Sequence, residues 1–578
     1  MSAPARETQG WTPAPTMSGV RAYAPARPEA PIDLHLDGNE GVGPPPSFLE
    51  ELGPLPLDVV RLYPDAHALE ALLAARLGVP TPCVMVTAGA DEGLDRLCRV
   101  ALAPGRDLVL TTPTFELLDH YALLAGASLV HVPWMEGPFP VESVIEATGP
   151  STALIAVVTP NNPTGAAASA EDLRRLSAAC PRALLLADLA YAEFADEDPT
   201  RTALELPNAI VARTLSKAWG LAGLRIGYMV GPERVIAWLR AAGGPYSVAG
   251  PSLTIAAARL VSDDADVRAY VDRVRRERND LEQRIAGLRA KALPSQANFV
   301  LARFARPLWV WEALAGLGIA VRLFPERPAL EGYLRITCPG QADGFERLVS
   351  ALETILAPEA LLFDLDGVLA DVSGSYRRAI LETALSFGAT CEPADIERLK
   401  AKGDANNDWD LTRRLLQERA LHFSLDEITE RFEAIYQGTQ TASGLWRSER
   451  LLAEPEHLSR LAARLPLAVV TGRPRRDAER FLATSGIAEL VRVVVCMEDG
   501  PLKPDPAPVR AALRAMKVSR AWMIGDTPDD VRAARAAGVL PLGIVAPGDR
   551  AEIMTPALRA AGATRVLTSL AQLEEILP

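Results

Sequence analysis

Short apolar runs that end on small or polar residues recur along this chain, and they alternate with stretches of helical period. Residues 83–87, 108–112, 153–159 and 183–187 are such runs in the first part, and runs starting at Leu361 and covering 467–470 repeat the pattern later. Continuous apolar runs of this length, bounded by breakers, read as strands buried on both faces. Their alternation with helices predicts parallel α/β sheets, in which residues that do chemistry gather at the strand C-termini. At 578 residues the chain is too long for one core, so two or three domains are expected.

Composition narrows the function. Hydrophobic residues make up 49% and charged residues 23%, the balance of an ordinary globular protein. A net charge of -13 argues against a nucleic-acid or anionic-membrane partner, and small anionic substrates then need local basic pockets. The six cysteines show no C-x-x-C spacing, which indicates neither a disulfide framework nor a zinc site and suits a reducing cytoplasm. Residues 1–30 read as a flexible Pro/Ala-rich extension without an apolar signal core. The uncharged run 147–170 contains Pro, Asn and Gly and does not read as a membrane span.

The residues following the runs carry the chemistry. Segment 213–225, R-T-L-S-K-A-W-G-L-A-G-L-R, places Lys217 among small residues. A lysine can hold a carbonyl compound as a Schiff base, and pyridoxal phosphate (PLP) is the commonest such cofactor. Thr214 and Ser216 offer hydroxyls to its phosphate, and Arg225 a planar fork of donors. A single loop lysine is more often a solvated surface group, so the reading depends on partners elsewhere. Gly89, Ala90 and Asp91 open a helix after run 83–87, where backbone N–H groups bind phosphate. Phe115 follows run 108–112 and could stack on a planar ring, a core phenylalanine being the plain alternative. P-N-N-P-T-G (160–165) contains Asn162, and D-L-A-Y (188–191) contains Asp188 and Tyr191.

Taken together and in this order, these stations resemble the fold-type I PLP aminotransferases, the histidinol-phosphate aminotransferase branch in particular. The resemblance implies a large α/β domain with a small C-terminal subdomain, and a homodimer in which Tyr63 of R-L-Y-P-D (61–65) reaches across to the cofactor phosphate. It assigns Asn162 and Tyr191 to the phenolic oxygen of PLP. Asp188 falls to its pyridine nitrogen, where a carboxylate favours the protonated ring. L-D-G-N-E-G (36–41), P-S-Q-A-N-F-V (294–300) and G-Y-L-R-I-T (332–337) are also family-like, with Arg335 matching the substrate-anion arginine and Arg322 assisting it. The chain departs from the family in having Ala90 where a serine is common, and N-E-G-V in place of N-E-N-P.

A second module begins near Pro358 with no Gly/Ser linker. Its first run ends in D-L-D-G-V-L-A-D (364–371), followed by V-V-T-G-R (469–473), P-L-K-P-D-P (501–506) and M-I-G-D-T-P-D-D (523–530). Carboxylates grouped in this way attract Mg²⁺, and Mg²⁺ with a lysine neutralises a transferring phosphoryl group. A calcium loop would need further acidic ligands in register and a terminal Glu. The four strings resemble the haloacid dehalogenase (HAD) phosphatases, with a Rossmann-like core. By that resemblance Asp364 attacks phosphorus and Asp366 protonates the leaving oxygen. Thr471 and Lys503 hold phosphoryl oxygens, and the metal carboxylates are drawn from Asp364, Asp366, Asp526 and Asp530. A helix-rich insertion, about 372–460, is the expected cap, and K-G-D-A-N-N-D-W-D (402–410) within it reads as a substrate-selecting loop or an interhelical turn.

The resulting expectation is a cytoplasmic bifunctional enzyme acting on small molecules, with an aminotransferase over 31–357 and a phosphatase over 358–578. Histidinol-phosphate aminotransferase makes a phosphorylated amino alcohol whose phosphate is removed next in histidine synthesis, so one chain could supply both steps. The alternatives are an aminotransferase for another amino acid beside a phosphoglycolate-type phosphatase, and a regulatory protein of inactive domains.

Overall fold

The computed structural model describes residues 12–17, 20–262 and 264–578. Its contacts divide the chain into two compact units. One comprises the residues up to Ala26, Leu36–Ala305 and Arg322–Phe345; the other comprises Arg27–His35, Arg306–Val321 and Glu346–Pro578. The border drawn by compactness therefore differs from the sequence junction at 357/358. Within the second unit the reason is visible at Trp522, a fully buried ring. It donates to the Thr354 carbonyl at 2.8 Å and lies 5.3 Å from the Trp309 ring, which ties the helices Pro307–Gly316 and Ala342–Leu356 to strand Ala521–Gly525.

The first unit is built on a seven-stranded sheet in the order Val84–Ala88, Ile226–Val230, Ala209–Thr214, Leu184–Asp188, Thr152–Val158, Asp107–Thr112, Ser128–Pro133. Only Ile226–Val230 runs antiparallel to its neighbours. Strand Thr152–Val158 (TALIAVV) is apolar along nearly its whole length, and Ala209–Thr214 is buried throughout, as expected where both faces of a parallel sheet are covered. The parallel strands end together: Val158 pairs with Asp188, and Asp188 with Ala212. That register places the segments after them at one edge. Beyond this sheet, Phe299–Arg303 pairs antiparallel with Tyr333–Thr337, and Arg322 lies directly across from Arg335.

The second unit holds a six-stranded parallel sheet, ordered Val491–Val495, Leu467–Val470, Ala360–Phe363, Ala521–Gly525, Leu540–Ile544, Val566–Leu567. Two short strands, Ala370–Asp371 and Arg450–Leu451, pair antiparallel where the chain leaves this core and returns. Between them lie the helices Tyr376–Ser386, Pro393–Lys402, Asp408–Gln417 and Leu425–Gln437, with Ala384, Leu416 and Ile428 in their own apolar centre. The returning strand closes the insertion at residue 449, short of the expected 460, because helix Pro455–Arg464 leads directly into core strand Leu467–Val470. Among the described residues no helix is long and apolar enough to cross a membrane.

Candidate active sites

In the first unit the strand ends surround a cavity of about 450 Å³. Ala90, Asp91, Phe115, Asn162, Asp188, Tyr191, Thr214, Ser216, Lys217, Arg225 and Arg335 all line it, so most of the residues singled out from the sequence converge there. Lys217 Nζ donates to the Gly38 carbonyl at 3.0 Å. Burial, reinforced by the Arg335 charge, pulls its ammonium down to about 8, so an appreciable fraction of neutral amine exists near neutral pH. Asp188 is buried and accepts the Ala190 N–H at 3.2 Å, and burial pushes its carboxyl up to about 7. The Tyr191 hydroxyl accepts from Asn39 Nδ2 at 3.0 Å and Asn162 Nδ2 at 3.5 Å.

One end of the cavity is built for an anion. The Thr214 and Ser216 hydroxyls lie 2.9 Å apart, and Arg225 is held by Asp91 at 3.0 Å. Helix Gly89–Ala101 opens beside them. Gly89 has φ +76°, a left-handed backbone that favours glycine, and a Cβ there would stand 2.4 Å from the Arg225 guanidinium and push it aside. Hydroxyls, guanidinium and helix N-terminus suit a phosphate, and the lysine and buried carboxylate suit the aldehyde and ring nitrogen of PLP.

Arg335, also in the lining, donates to Asn162 Oδ1 at 2.7 Å and to the Asp37 carbonyl, while its Nε is buried with no partner among the described residues. Arg322, its cross-strand neighbour, pairs with Glu116 at 3.1 Å and lines an adjoining cavity of about 380 Å³. Tyr23 lines both cavities, with the Arg322 guanidinium 5.3 Å from its ring. Tyr23, within the expected 1–30 extension, thus lies against both cavities. Tyr63 is not brought in: it is 82% exposed and stacks on Tyr246 at 4.8 Å.

Sequence reasoning missed Asn39 and Asn161. Asn39 is buried, and its Oδ1 accepts from Thr337 while its amide serves Tyr191. Asn161 joins two strand ends through the Pro113 carbonyl at 2.9 Å and Thr114 at 2.6 Å. Both sit in strings already noticed as motifs, but nothing in the strings distinguishes an asparagine that holds the loop from one that faces the cavity.

In the second unit, carboxylate oxygens of Asp364, Asp526 and Asp530 lie within 4.8 Å of one another, all three residues buried. Asp364 follows strand Ala360–Phe363, and Asp526 follows Ala521–Gly525. Asp530 is the third residue of helix Pro528–Ala536, where it closes a capping box with Thr527. Lys503 Nζ donates to Asp364 at 2.8 Å and the Val470 carbonyl at 3.0 Å, and it pairs with Asp530. Burial pulls that ammonium down, but the Asp364 and Asp530 charges outweigh it and hold it above its usual range. Burial pushes Asp364 up to about 7 and Asp526 well above the carboxylate range. Asp526 Oδ2 is buried with no hydrogen-bond partner among the described residues, so the trio has the donor set and the unmet charge that a hard divalent cation satisfies. Gly367, at φ +74°, passes so near that a Cβ would meet Asp526 Oδ2 at 2.5 Å.

Asp366 departs from the expected metal set. Its carboxylate is outside the trio, engaged instead by the buried Arg473 guanidinium, whose Nε donates to it at 2.6 Å. Thr471 is buried immediately beyond Leu467–Val470, its hydroxyl oxygen accepting the Arg473 N–H at 3.2 Å. The polar cap loop reaches the core: Asn406 Nδ2 donates to the Lys503 carbonyl and to Asp529, each at 3.1 Å, and Ala405 N–H donates to Asp529 at 3.0 Å.

Comparison with known proteins finds two families in succession, with the border between residues 352 and 358. The model of the family described as aminotransferase class I and II matches residues 57–352, and that of haloacid dehalogenase-like hydrolase matches 358–538. A histidinol-phosphate aminotransferase of Chlorobium luteolum is 33% identical over 355 residues, 59% of this chain and 97% of that protein. An imidazoleglycerol-phosphate dehydratase of Phytophthora nicotianae is 44% identical over 237 residues, which cover 38% of this chain; the match spans about half of that relative, 52%. Among solved structures, histidinol-phosphate aminotransferase from Sinorhizobium meliloti in complex with pyridoxal-5'-phosphate superposes with a TM-score of 0.52 at 25% identity, over 61% of this chain and 97% of its own.

Proposed function

We infer that this chain, which belongs to the aminotransferase class I and II family and carries a haloacid dehalogenase-like hydrolase domain, makes and then dephosphorylates a phosphorylated amino alcohol, histidinol phosphate. The observation that carries the reading is one cavity lined by Lys217, Asp188, Arg225 and Arg335, with Arg322, across the strand from Arg335, in the adjoining cavity. An anionic cofactor and an anionic substrate can face one amine there. The Chlorobium relative, matched over 97% of its length, supplies the substrate by name.

PLP, when bound, supplies an aldehyde and an electron sink. Thr214, Ser216, Arg225 and the helix start at Gly89 would hold its phosphate. Asp188 would keep a proton at the ring nitrogen, and Tyr191 with Asn162 would hydrogen-bond the phenolic oxygen. Lys217 would move the proton at the substrate Cα, since its lowered pKa lets it act as a base near neutral pH. Arg335 would orient the substrate's anionic group. The amino group passes from a donor such as glutamate to the acceptor's carbonyl carbon, the donor leaving as a keto acid.

In the second unit Asp364 would attack phosphorus while Asp366 gives its proton to the departing alcohol, and water then releases phosphate. Mg²⁺ would be held by Asp364, Asp526 and Asp530, and with Lys503 and Thr471 it would neutralise the transferring group. A homodimer is part of the reading: Leu57, Val60, Leu62 and Tyr63 form an exposed apolar run, and Tyr63 would serve the neighbouring subunit's cofactor. A cytoplasmic setting agrees with the six free cysteines.

The test is to incubate the protein with imidazole acetol phosphate, glutamate, PLP and Mg²⁺. Histidinol and free phosphate are expected. The specificity constant for histidinol phosphate is then compared with that for phosphoglycolate, and a preference for phosphoglycolate would break the consecutive-step reading while leaving both reaction types standing.

A further inference from the structure

Arg473 is one of the largest fully buried side chains in the protein, and one guanidinium there serves two carboxylates from different parts of the second unit. Its Nε donates to Asp366 at 2.6 Å and its NH1 to Glu449 Oε2 at 2.9 Å. Its backbone belongs to the core, with the N–H on Thr471 Oγ1 and the carbonyl accepting from Met497 at 3.1 Å. Glu449 belongs to the cap's return: it directly precedes strand Arg450–Leu451, and its other oxygen accepts from the Tyr436 hydroxyl of cap helix Leu425–Gln437 at 2.9 Å. Tyr376, at the start of the first cap helix, places its ring 4.7 Å from the same guanidinium and 4.3 Å from the Tyr436 ring. Phe481 of the core covers it at 5.5 Å.

We propose that Arg473 is a positioning residue that ties the aim of the Asp366 carboxylate to the seating of the cap, through Glu449 and the Tyr376 ring. This inference rests on the phosphomonoester-hydrolase reading above. A buried guanidinium with five directed donors holds a carboxylate in one orientation, and here the fork's other arm and one face are supplied by cap residues. Moving the cap removes Glu449 and Tyr376 from Arg473, so Asp366 loses its aim when the cap is not seated. In the reaction the proton leaves Asp366 for the ester oxygen as the P–O bond to the alcohol breaks and the bond to Asp364 forms. Water later cleaves that bond and returns a proton to Asp366. Only the first transfer depends on leaving group: an alkoxide needs the proton, whereas p-nitrophenolate leaves without it.

The experiment measures kcat and KM of the full-length protein with Mg²⁺ on β-glycerophosphate and on p-nitrophenyl phosphate, for the wild type, Asp366→Asn, Glu449→Gln and Arg473→Lys. Glu449→Gln and Arg473→Lys are expected to lower kcat on the alkyl ester about ten- to a hundredfold, as a misaimed group does. On p-nitrophenyl phosphate their kcat is expected to stay within about twofold, with KM little changed for both esters, a milder form of the bias shown by Asp366→Asn. Equal losses on the two esters, or an unchanged ratio, would overturn the proposal and leave Arg473 a structural ion pair. If Arg473→Lys does not fold, Glu449→Gln, which is isosteric and keeps the Tyr436 hydrogen bond, decides alone. A wild type that hydrolyses neither ester would instead take down the hydrolase reading on which the proposal rests.

Discussion

The two candidate sites are electrostatic opposites. In the first unit Lys217 and Arg335, with the half-exposed Arg225 held by Asp91, line a cavity that contains one fully buried carboxylate, Asp188, together with hydroxyls and a helix N-terminus. In the second, the buried carboxylates Asp364, Asp526 and Asp530 surround one lysine, Lys503. Each arrangement is costly by itself, since burying like charges disfavours the charged forms, and the shifts at Lys217 and Asp364 run in opposite directions for that reason. The comparison teaches that the donor set at each site identifies the missing partner: hydroxyls, a guanidinium and a helix start suit an anionic cofactor at the first, and a buried carboxylate trio suits a divalent cation at the second.

The sharpest way to break this comparison is to remove each site's reacting group. Lys217→Ala is expected to abolish transamination and leave phosphomonoester hydrolysis intact, and Asp364→Asn to do the reverse, each loss being on the order of 10⁴ or more. Mass spectrometry after borohydride reduction should find the cofactor on Lys217; a label on another lysine would refute the assignment. Removal of divalent metal by EDTA should cost hydrolysis nearly all its rate, with Mg²⁺ restoring it, and should leave transamination unchanged. Metal-independent hydrolysis would show that Lys503 alone balances the trio.

A smaller effect is expected at Arg335. Arg335→Gln keeps a donor but loses the charge, so kcat/KM for an anionic acceptor should fall roughly 10- to 100-fold, the worth of a charge-assisted hydrogen bond. Equal kinetics on a phosphorylated and an unphosphorylated acceptor in the wild type would remove Arg335 and Arg322 from substrate recognition. The smallest effect concerns pH. The neutral amine of Lys217 is the reactive form, so the rate at which protein stripped of cofactor takes up PLP should rise with pH and level off above about 8. Because the Arg335 charge adds to burial in lowering that pKa, Arg335→Gln should move the midpoint upward, which stopped-flow absorbance measures directly.

Much of the first site was legible because its residues lie at predictable places, immediately after apolar runs. Asp188 ends strand Leu184–Asp188, and Lys217 lies just beyond Ala209–Thr214. The same logic located Asp364, Thr471 and Asp526 after their strands. Asn39, Tyr23 and Glu449 were not legible: Asn39 and Tyr23 act through residues more than a hundred positions away, Tyr23 from a segment whose composition looks like linker, and Glu449 acts through Arg473 in a different element of the second unit.

The sequence by itself determined the α/β class, the order of the two modules and the residue types at each strand end, because apolar periodicity and local breakers are properties of adjacent residues. Only the tertiary structure decided which way Asp366 points, where the cap closes and which helices count with the second unit. Those outcomes depend on packing between distant segments: Arg473 lies between Asp366 and Glu449, Ala370–Asp371 pairs with Arg450–Leu451, and Trp522 packs beneath Thr354 and Trp309. No local pattern encodes a contact between residues so far apart in the chain, because it exists only once the sheet has brought its strands into register.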